Sequence, residues 1–515
     1  MTPNQRIALN IVATYGRSLF ALVCGLLTGR WLLMVLGTVD YGLYGLIAGL
    51  TSFITFFCGF LSGSVARYYA FSLGESQASL NPHEGLENCR RWFNTALVLH
   101  VLVPSFSLSI GYPLGVYAIE NWLTIPVSRV DSCLGVFRFV CLSCFVGIVN
   151  VPYNAMYVAK QYIAELTIYS IAQTCCNIAI LAFMLRHSGD WLARYAGIAG
   201  LISVVPQILI MLRARVLFPE CRIHLPYWSD FSRLQVLFQF AGWQLFGNLG
   251  MLLRTQGTAI FLNKVFGPIL NTALGIGSSV TVHANQLTGA MNSALIPVVT
   301  SLRGAGQDNR SVDLTYRMCK FGVIFSLLFV LPLILERDLI LKLWLKNPPP
   351  YVSQILLFLL IIAALDESVR GIGILVTASG KLARFHLVLG GLNVLSIPLI
   401  GAMVFLCWKN YLMVFLTLLI VQLISVILAV LIAQKVVGVS FRHWLTIIFI
   451  PAALSALFSF GTGLIIQMLF KNLELVRLLV CSFVVSGTFG VCAYAFILDD
   501  QEREFISDKI RRIRR

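Results

Sequence analysis

Charge is what this sequence lacks. Only 12% of its 515 residues are charged while 58% are hydrophobic, and the mean hydropathy is +0.85; in a soluble domain about a quarter of residues are charged. The shortage excludes a water-soluble globular chain and makes lipid the solvent of most of the sequence. Long polar segments are missing too. The longest lie near 74–91, 218–233 and 303–313, too short to fold as domains. A membrane polymerase or glycan ligase needs catalytic residues on a sizeable outer loop, so the chain is expected not to be an enzyme and to use no cofactor. Thirteen cysteines are an odd number, and most fall inside apolar runs, which argues against a disulfide framework. The Cys141–Cys144 spacing matches a redox or metal pair, but with no second pair nearby it reads as core packing, and no metal site is expected. A cleavable signal is also absent: Asn10, Thr14, Tyr15 and Arg17 interrupt a first apolar run that is too long for one, so it reads as a retained helix.

What is present is a series of bilayer-length apolar runs, near residues 8–36, 42–70, 92–118, 133–157, 162–185, 191–212, 236–262, 271–300, 315–335, 353–378, 383–407, 411–433, 443–469 and 475–498. The expected fold is all-α and polytopic, with about fourteen transmembrane helices. Lysine and arginine fix the orientation. With both termini inside, twenty fall in cytoplasmic segments and nine on the opposite side, in accord with the positive-inside rule. The net charge of +16 and the tail ending in Arg511, Arg512, Arg514 and Arg515 then read as a topological anchor on anionic membrane lipid, not as a nucleic-acid site.

Shifting the chain by 230 residues lays Gly37, Gly45 and Gly59 over Gly267, Gly275 and Gly289. The first and seventh helices become equivalents, both starting on the cytoplasmic side, which implies a parallel repeat about an axis along the membrane normal. The expected organisation is an N-terminal lobe at 1–217, a cytoplasmic linker at 218–235, a C-terminal lobe at 236–434, two further helices at 435–499 and a basic tail at 500–515.

Arginine inside apolar sequence is the main functional signal. At the bilayer centre it costs roughly 2.5–3.5 kcal/mol, so it is expected to face a bundle interior or a watery cavity. Arg17 lies about 15 Å into the first helix, near the midplane, where transporters hold substrate. It belongs to a small and polar stripe with Asn10, Thr14, Ala21, Cys24 and Thr28. The 230-residue shift maps this stripe onto Phe240, Gln244, Gly247, Met251, Arg254 and Thr258. Arg17 and Arg254 would be two cationic rungs at different depths of one lumen, or else snorkelling and interhelical structural residues. Arg30 and Arg67 lie nearer the rims, where snorkelling is easy.

Arg30-Trp31, Gly37, the run Asp40-Tyr41-Gly42-Leu43-Tyr44, and Arg67 closing the second helix together resemble the opening of bacterial polysaccharide exporters of the O-antigen flippase (Wzx) type. These belong to the MOP, or MATE-like, superfamily, with the multidrug and toxic compound extruders and the lipid II flippase. The resemblance implies two six-helix lobes in alternating access and a cationic lumen for the pyrophosphate of an undecaprenyl-linked oligosaccharide. It also implies a bacterial inner-membrane location, a polysaccharide polymerase as partner, and two last helices able to border a groove for the lipid tail. A single deep arginine on the first-helix stripe departs from the lipid II flippase pattern.

A pyrophosphate suits guanidinium forks, and a sugar chain suits aromatic and amide groups. Tyr44, Trp243, Gln244, Asn248, His283 and Gln286 are the candidates for the sugar, with interhelical glue as their alternative role. In the tenth helix Asp366 and Glu367 lie within one turn of Arg370, so the arginine can neutralise one acid and leave the other for Na+ or proton coupling, or the three can simply fix packing. His100 and His386 read as bundle residues. A cation extruder of the same fold fits the arginine stripes poorly.

Overall fold

The structure is a computed structural model that describes residues 20, 23–53, 56, 65, 68–69, 72, 82–160, 162–230, 232–233, 235, 246–407 and 409–504. Among these the chain is helical and without strands. In order the helices are α1 (Val23–Phe53), α2 (Pro82–Tyr117), α3 (Val130–Ala159), α4 (Ile163–Met184), α5 (Leu192–Leu217), α6 (Thr258–Phe266), α7 (Pro268–Ala284), α8 (Gln286–Gly304), α9 (Asp308–Leu335), α10 (Arg337–Leu345), α11 (Val352–Ser379), α12 (Ala383–Leu406), α13 (Tyr411–Val437), α14 (Phe441–Leu469) and α15 (Glu474–Ile497). Eleven helical spans among the described residues are long and apolar enough to cross a membrane, giving the all-α polytopic fold expected. The other three of the fourteen expected runs have specific fates. The first run and the start of the second meet in α1 at the Gly37 turn, with most of the second beyond residue 53 outside the described residues; the seventh lies partly outside them, and the eighth is broken at Asn285 into α7 and α8.

Two positive-φ glycines shape this topology. Gly37 has φ +74° in the middle of α1, and Gly267 has φ +88° between α6 and α7. A right-handed helix cannot continue through such a residue, so each marks a helix–turn–helix junction with no intervening loop. The two are separated by the 230 residues of the internal repeat, and both have a positive φ.

By compactness the chain divides into Met1–Gly275 and Ile276–Arg515. In the first unit α3 packs along α5 through small residues. A Cβ on Gly200 would touch Ser143 Oγ, and one on Gly197 would press on the Phe139 ring; close backbone approach of this kind is how helices associate in lipid. The stretch after α5 is ordered on the same unit. The Asn94 side chain accepts from His224 N at 2.7 Å and donates to Arg222 O at 3.1 Å. Lys160 pairs with buried Glu220 at 2.7 Å, and Tyr227 donates to Glu87. The Arg233 guanidinium lies over the Trp92 ring while bonding Asn88 Oδ1 at 2.6 Å. The expected linker is therefore a strap fastened to the first unit through residue 233.

The second unit has one core shared by α9, α11, α13, α14 and α15. The last two helices are integral to it. At one end Glu336, following α9, receives Arg477 and Gln467; at the other, buried Lys320 holds Glu502 at 2.8 Å and Asp499 at 3.3 Å. Between these, Ser486 Oγ donates to Leu328 O at 2.9 Å and Trp444 Nε1 to Ser368 O at 2.9 Å.

Candidate functional site

Of the arginines singled out, Arg17 and Arg67 lie outside the described residues, as does Gln244. Arg254 is described, and it is buried. It falls in a single π-turn, Leu253–Gly257, inserted just before α6, and Thr258 Oγ1 donates to the Arg254 carbonyl at 2.5 Å. A π-turn carries one extra residue, which reorients the side chains around it, and such turns cluster at functional sites. Its repeat equivalent, Cys24, is also buried, so both copies of this position face protein. Arg30 is half-buried on α1, and its Nε has no hydrogen-bond partner among the described residues.

Asn248 is exposed, and His283 and Gln286 are half-buried neighbours across the break between α7 and α8. That break gathers unsatisfied polar atoms. His283 Nδ1, Asn285 Oδ1, Gln286 Oε1 and both amide atoms of buried Asn292 lack hydrogen-bond partners among the described residues. An unpartnered amide in a membrane interior is costly, and a cluster of them is suited to polar ligand or water. Tyr44, a candidate sugar contact, lies on the aromatic side of α1. It packs edge-on to Tyr195 at 5.4 Å within the core that also takes Trp31, Tyr41 and Trp191.

Arg370 engages both neighbouring acids, Asp366 Oδ2 through Nη2 at 2.7 Å and Glu367 Oε1 through Nε at 2.9 Å. Thr288 Oγ1 adds a bond to the same Glu367 oxygen at 3.1 Å. Asp366 is half exposed and Glu367 is buried, with Oε2 unpartnered beside Gly322. One guanidinium shared by two carboxylates leaves one negative charge in excess whenever both are ionised. His100 sits in the bundle with Nδ1 on Ala96 O at 2.7 Å.

Several organising pairs were invisible in the sequence. Arg129 lies between two acids distant in the chain, with Nη2 3.1 Å from Asp40 and Nη1 2.8 Å from Asp190. The aspartate of the Asp40-Tyr41-Gly42 run thus fastens α1 to the start of α3. Gly42 of that run faces the second turn, where a Cβ would collide with the Pro268 carbonyl and the Thr272 side chain. Lys320 was the one legible sign, a cation deep in an apolar helix, but its partners lie beyond the last span.

Among solved structures the chain is similar to the lipid II flippase MurJ in an inward closed conformation, with TM-score 0.68 and 12% identity over 95% of this chain and 98% of the other. It is similar to an inward-facing multidrug resistance MATE family transporter of the MOP superfamily, with TM-score 0.60 and 14% identity over 84% and 97%. The MATE multidrug transporter DinF-BH in complex with R6G gives TM-score 0.60 and 16% identity over 85% and 97%. No family model matches the sequence, and no curated protein matches it either. At these identities the likeness is one of fold, and that fold is the one shared by transporters of the MOP superfamily.

Proposed function

We propose that this chain is a flippase, not an enzyme, that moves an undecaprenyl-pyrophosphate-linked oligosaccharide across the bacterial inner membrane for O-antigen, capsule or exopolysaccharide assembly. Alternating access exposes a cationic lumen first to the cytoplasm, where both termini lie, and then to the far side, where a polysaccharide polymerase would take the product. The observation that carries this reading is Arg254, a guanidinium buried in a π-turn of apolar sequence. A guanidinium presents a planar fork of donors that matches the oxygens of a pyrophosphate. The polar break at His283, Asn285, Gln286 and Asn292 supports a sugar-bearing cargo. The greater extent of the likeness to the lipid II flippase than to the multidrug transporters supports a lipid-linked cargo over a drug, and keeps lipid II as the second reading. Glu367, with one oxygen unpartnered, is the residue proposed to couple transport to Na+ or protons.

The test is surface polysaccharide in a flippase-deficient strain, with protein abundance measured in the same membranes. One charge-assisted contact is worth about 1.5–3 kcal/mol, so Arg254→Ala or Arg17→Ala should weaken cargo binding by a factor on the order of ten to a hundred. Lysine at either position should retain part of the export. Full export by both alanine variants at normal abundance would refute the cationic lumen. Rescue of a strain lacking only lipid II transport would select the second reading.

A further inference from the structure

The end of α6 is tied to the segment between α2 and α3 by a contact that resembles strand pairing. Asn263, fully buried, accepts from Thr124 N through Oδ1 at 2.9 Å and donates from Nδ2 to Thr124 O at 3.2 Å. One side-chain amide therefore satisfies both main-chain groups of a residue that belongs to no helix. Beside it, Lys264 Nζ donates to Trp122 O at 2.6 Å. A few residues on, Thr272 Oγ1 donates to Thr38 O, and Gly42 admits the Pro268 carbonyl and Thr272 where any side chain would not fit. These contacts join helices from the two copies of the repeat at the end of α2 opposite the strap.

The turn does not need these polar side chains. The repeat equivalents of Asn263 and Lys264 are Leu33 and Met34, yet Gly37 takes a positive φ as Gly267 does. The amide and the ammonium were placed in one repeat only, where the main chain of 122–124 receives them. Their bonds are to backbone, so they hold for any sequence at Trp122 and Thr124 and break together when α6 moves away.

We infer that Asn263 and Lys264 form a latch that holds the outer face of the transporter shut, and that its release is a discrete step of the cycle. The inference rests on the alternating-access reading above but not on the identity of the cargo. Asn263 sets the resting equilibrium between the two access states by clamping the backbone at Thr124, and Lys264 reinforces it.

The test uses the full-length protein in nanodiscs without cargo. Ala273, fully buried just below the latch, is changed to cysteine, and its reaction with a membrane-impermeant maleimide is followed by peptide mass spectrometry, which separates it from the native cysteines. In parallel, hydrogen exchange is read at the Thr124 amide. Loss of two neutral hydrogen bonds in Asn263→Ala should raise labelling by about tenfold and speed exchange at Thr124. Asn263→Asp keeps the acceptor and should fall between, and Lys264→Met should give about a threefold rise without faster exchange elsewhere. If Thr124 exchanges faster while position 273 stays unreactive, the contact is not a gate. If neither changes in any variant, the latch does not exist. Where Asn263→Ala speeds exchange throughout the chain, the Lys264→Met result decides. A rise in labelling alongside unaffected export in the Arg254→Ala variant would leave the latch standing and remove the cationic lumen.

Discussion

Arg477 closes on Glu336 with two nitrogens, Nε at 3.1 Å from Oε1 and Nη2 at 3.1 Å from Oε2. Glu336 is 1% exposed, and Gln467 bonds both to it and to Leu335 O. A planar fork on a buried carboxylate is the strong form of an ion pair, and here it fastens α14 and α15 to the end of α9. Arg477→Ala would leave that carboxylate buried and unpaired, an outcome that costs about 3–5 kcal/mol. Arg477→Ala should therefore lower the unfolding temperature sharply in detergent, with Glu336→Gln,Arg477→Gln recovering much of the loss. A thermal-shift series with all three proteins checks it, and equal stability of Arg477→Ala and the parent would remove the clamp.

At the other end of α15 the tether depends on pH. Partial burial pushes the Asp499 carboxyl upward, but the Glu502 amide and the Lys320 ammonium beside it outweigh this and hold it below the ordinary carboxylate range. A carboxylate whose folded pKa is depressed stabilises the folded state above its unfolded value, near 4, and that contribution disappears as pH falls through the folded value. Docking of residues 499–504 should thus loosen below about pH 4 and stay constant above it. Hydrogen exchange of this segment between pH 3 and 7, corrected for intrinsic rates, should show the transition in the parent and lack it in Asp499→Asn.

Gly42 offers a purely steric test. A methyl group there would run into the Pro268 carbonyl and Thr272, and neither a main-chain oxygen nor a helix terminus can move without shifting the turn. Gly42→Ala should cost about 1–3 kcal/mol and should make position 273 reactive. Gly45→Ala, whose added methyl would meet nothing within 4 Å, is the silent control. Equal labelling of the two would mean the turns do not meet in the membrane.

The Asp366, Glu367 and Arg370 group should separate coupling from packing. Asp366 is half exposed, so Asp366→Asn is expected to alter abundance little. Glu367 is buried and shared between Arg370 and Thr288, so Glu367→Gln removes the charge while keeping shape and a hydrogen-bonding oxygen. If Glu367 couples transport, its variant should reduce export at least tenfold at abundance within twofold of the parent. Parallel losses of export and abundance would assign the triad to packing alone.

The architecture was legible in the sequence because bilayer spans are encoded by length and polarity, which need no knowledge of partners. The turns were legible because Gly37 and Gly267 occupy conformations that favour glycine. The pairings were not. Arg129 with Asp40 and Asp190, Lys320 with Glu502, and Asn263 with Thr124 join positions separated by 61 to 182 residues, and no periodicity connects them. Asn263 was the least legible, since its partners are main-chain atoms and leave no complementary residue to find. The candidate site was read only from an excess of arginine, since a sequence does not display rotations about helix axes such as the one the π-turn at Arg254 introduces.

The strap after α5 has a bearing on how such a gene could be divided. A break after residue 217 would fall where the repeat suggests a seam, yet it would strip Lys160 of its partner Glu220 and empty the two-sided grip of Asn94. The front half would carry these vacancies, and the back half would carry a loose leader with nothing to hold it. Two co-expressed pieces are better cut beyond Arg233, the last residue bonded to the first unit's helices in this stretch. A workable division of the gene would follow the contacts of the strap and not the end of α5.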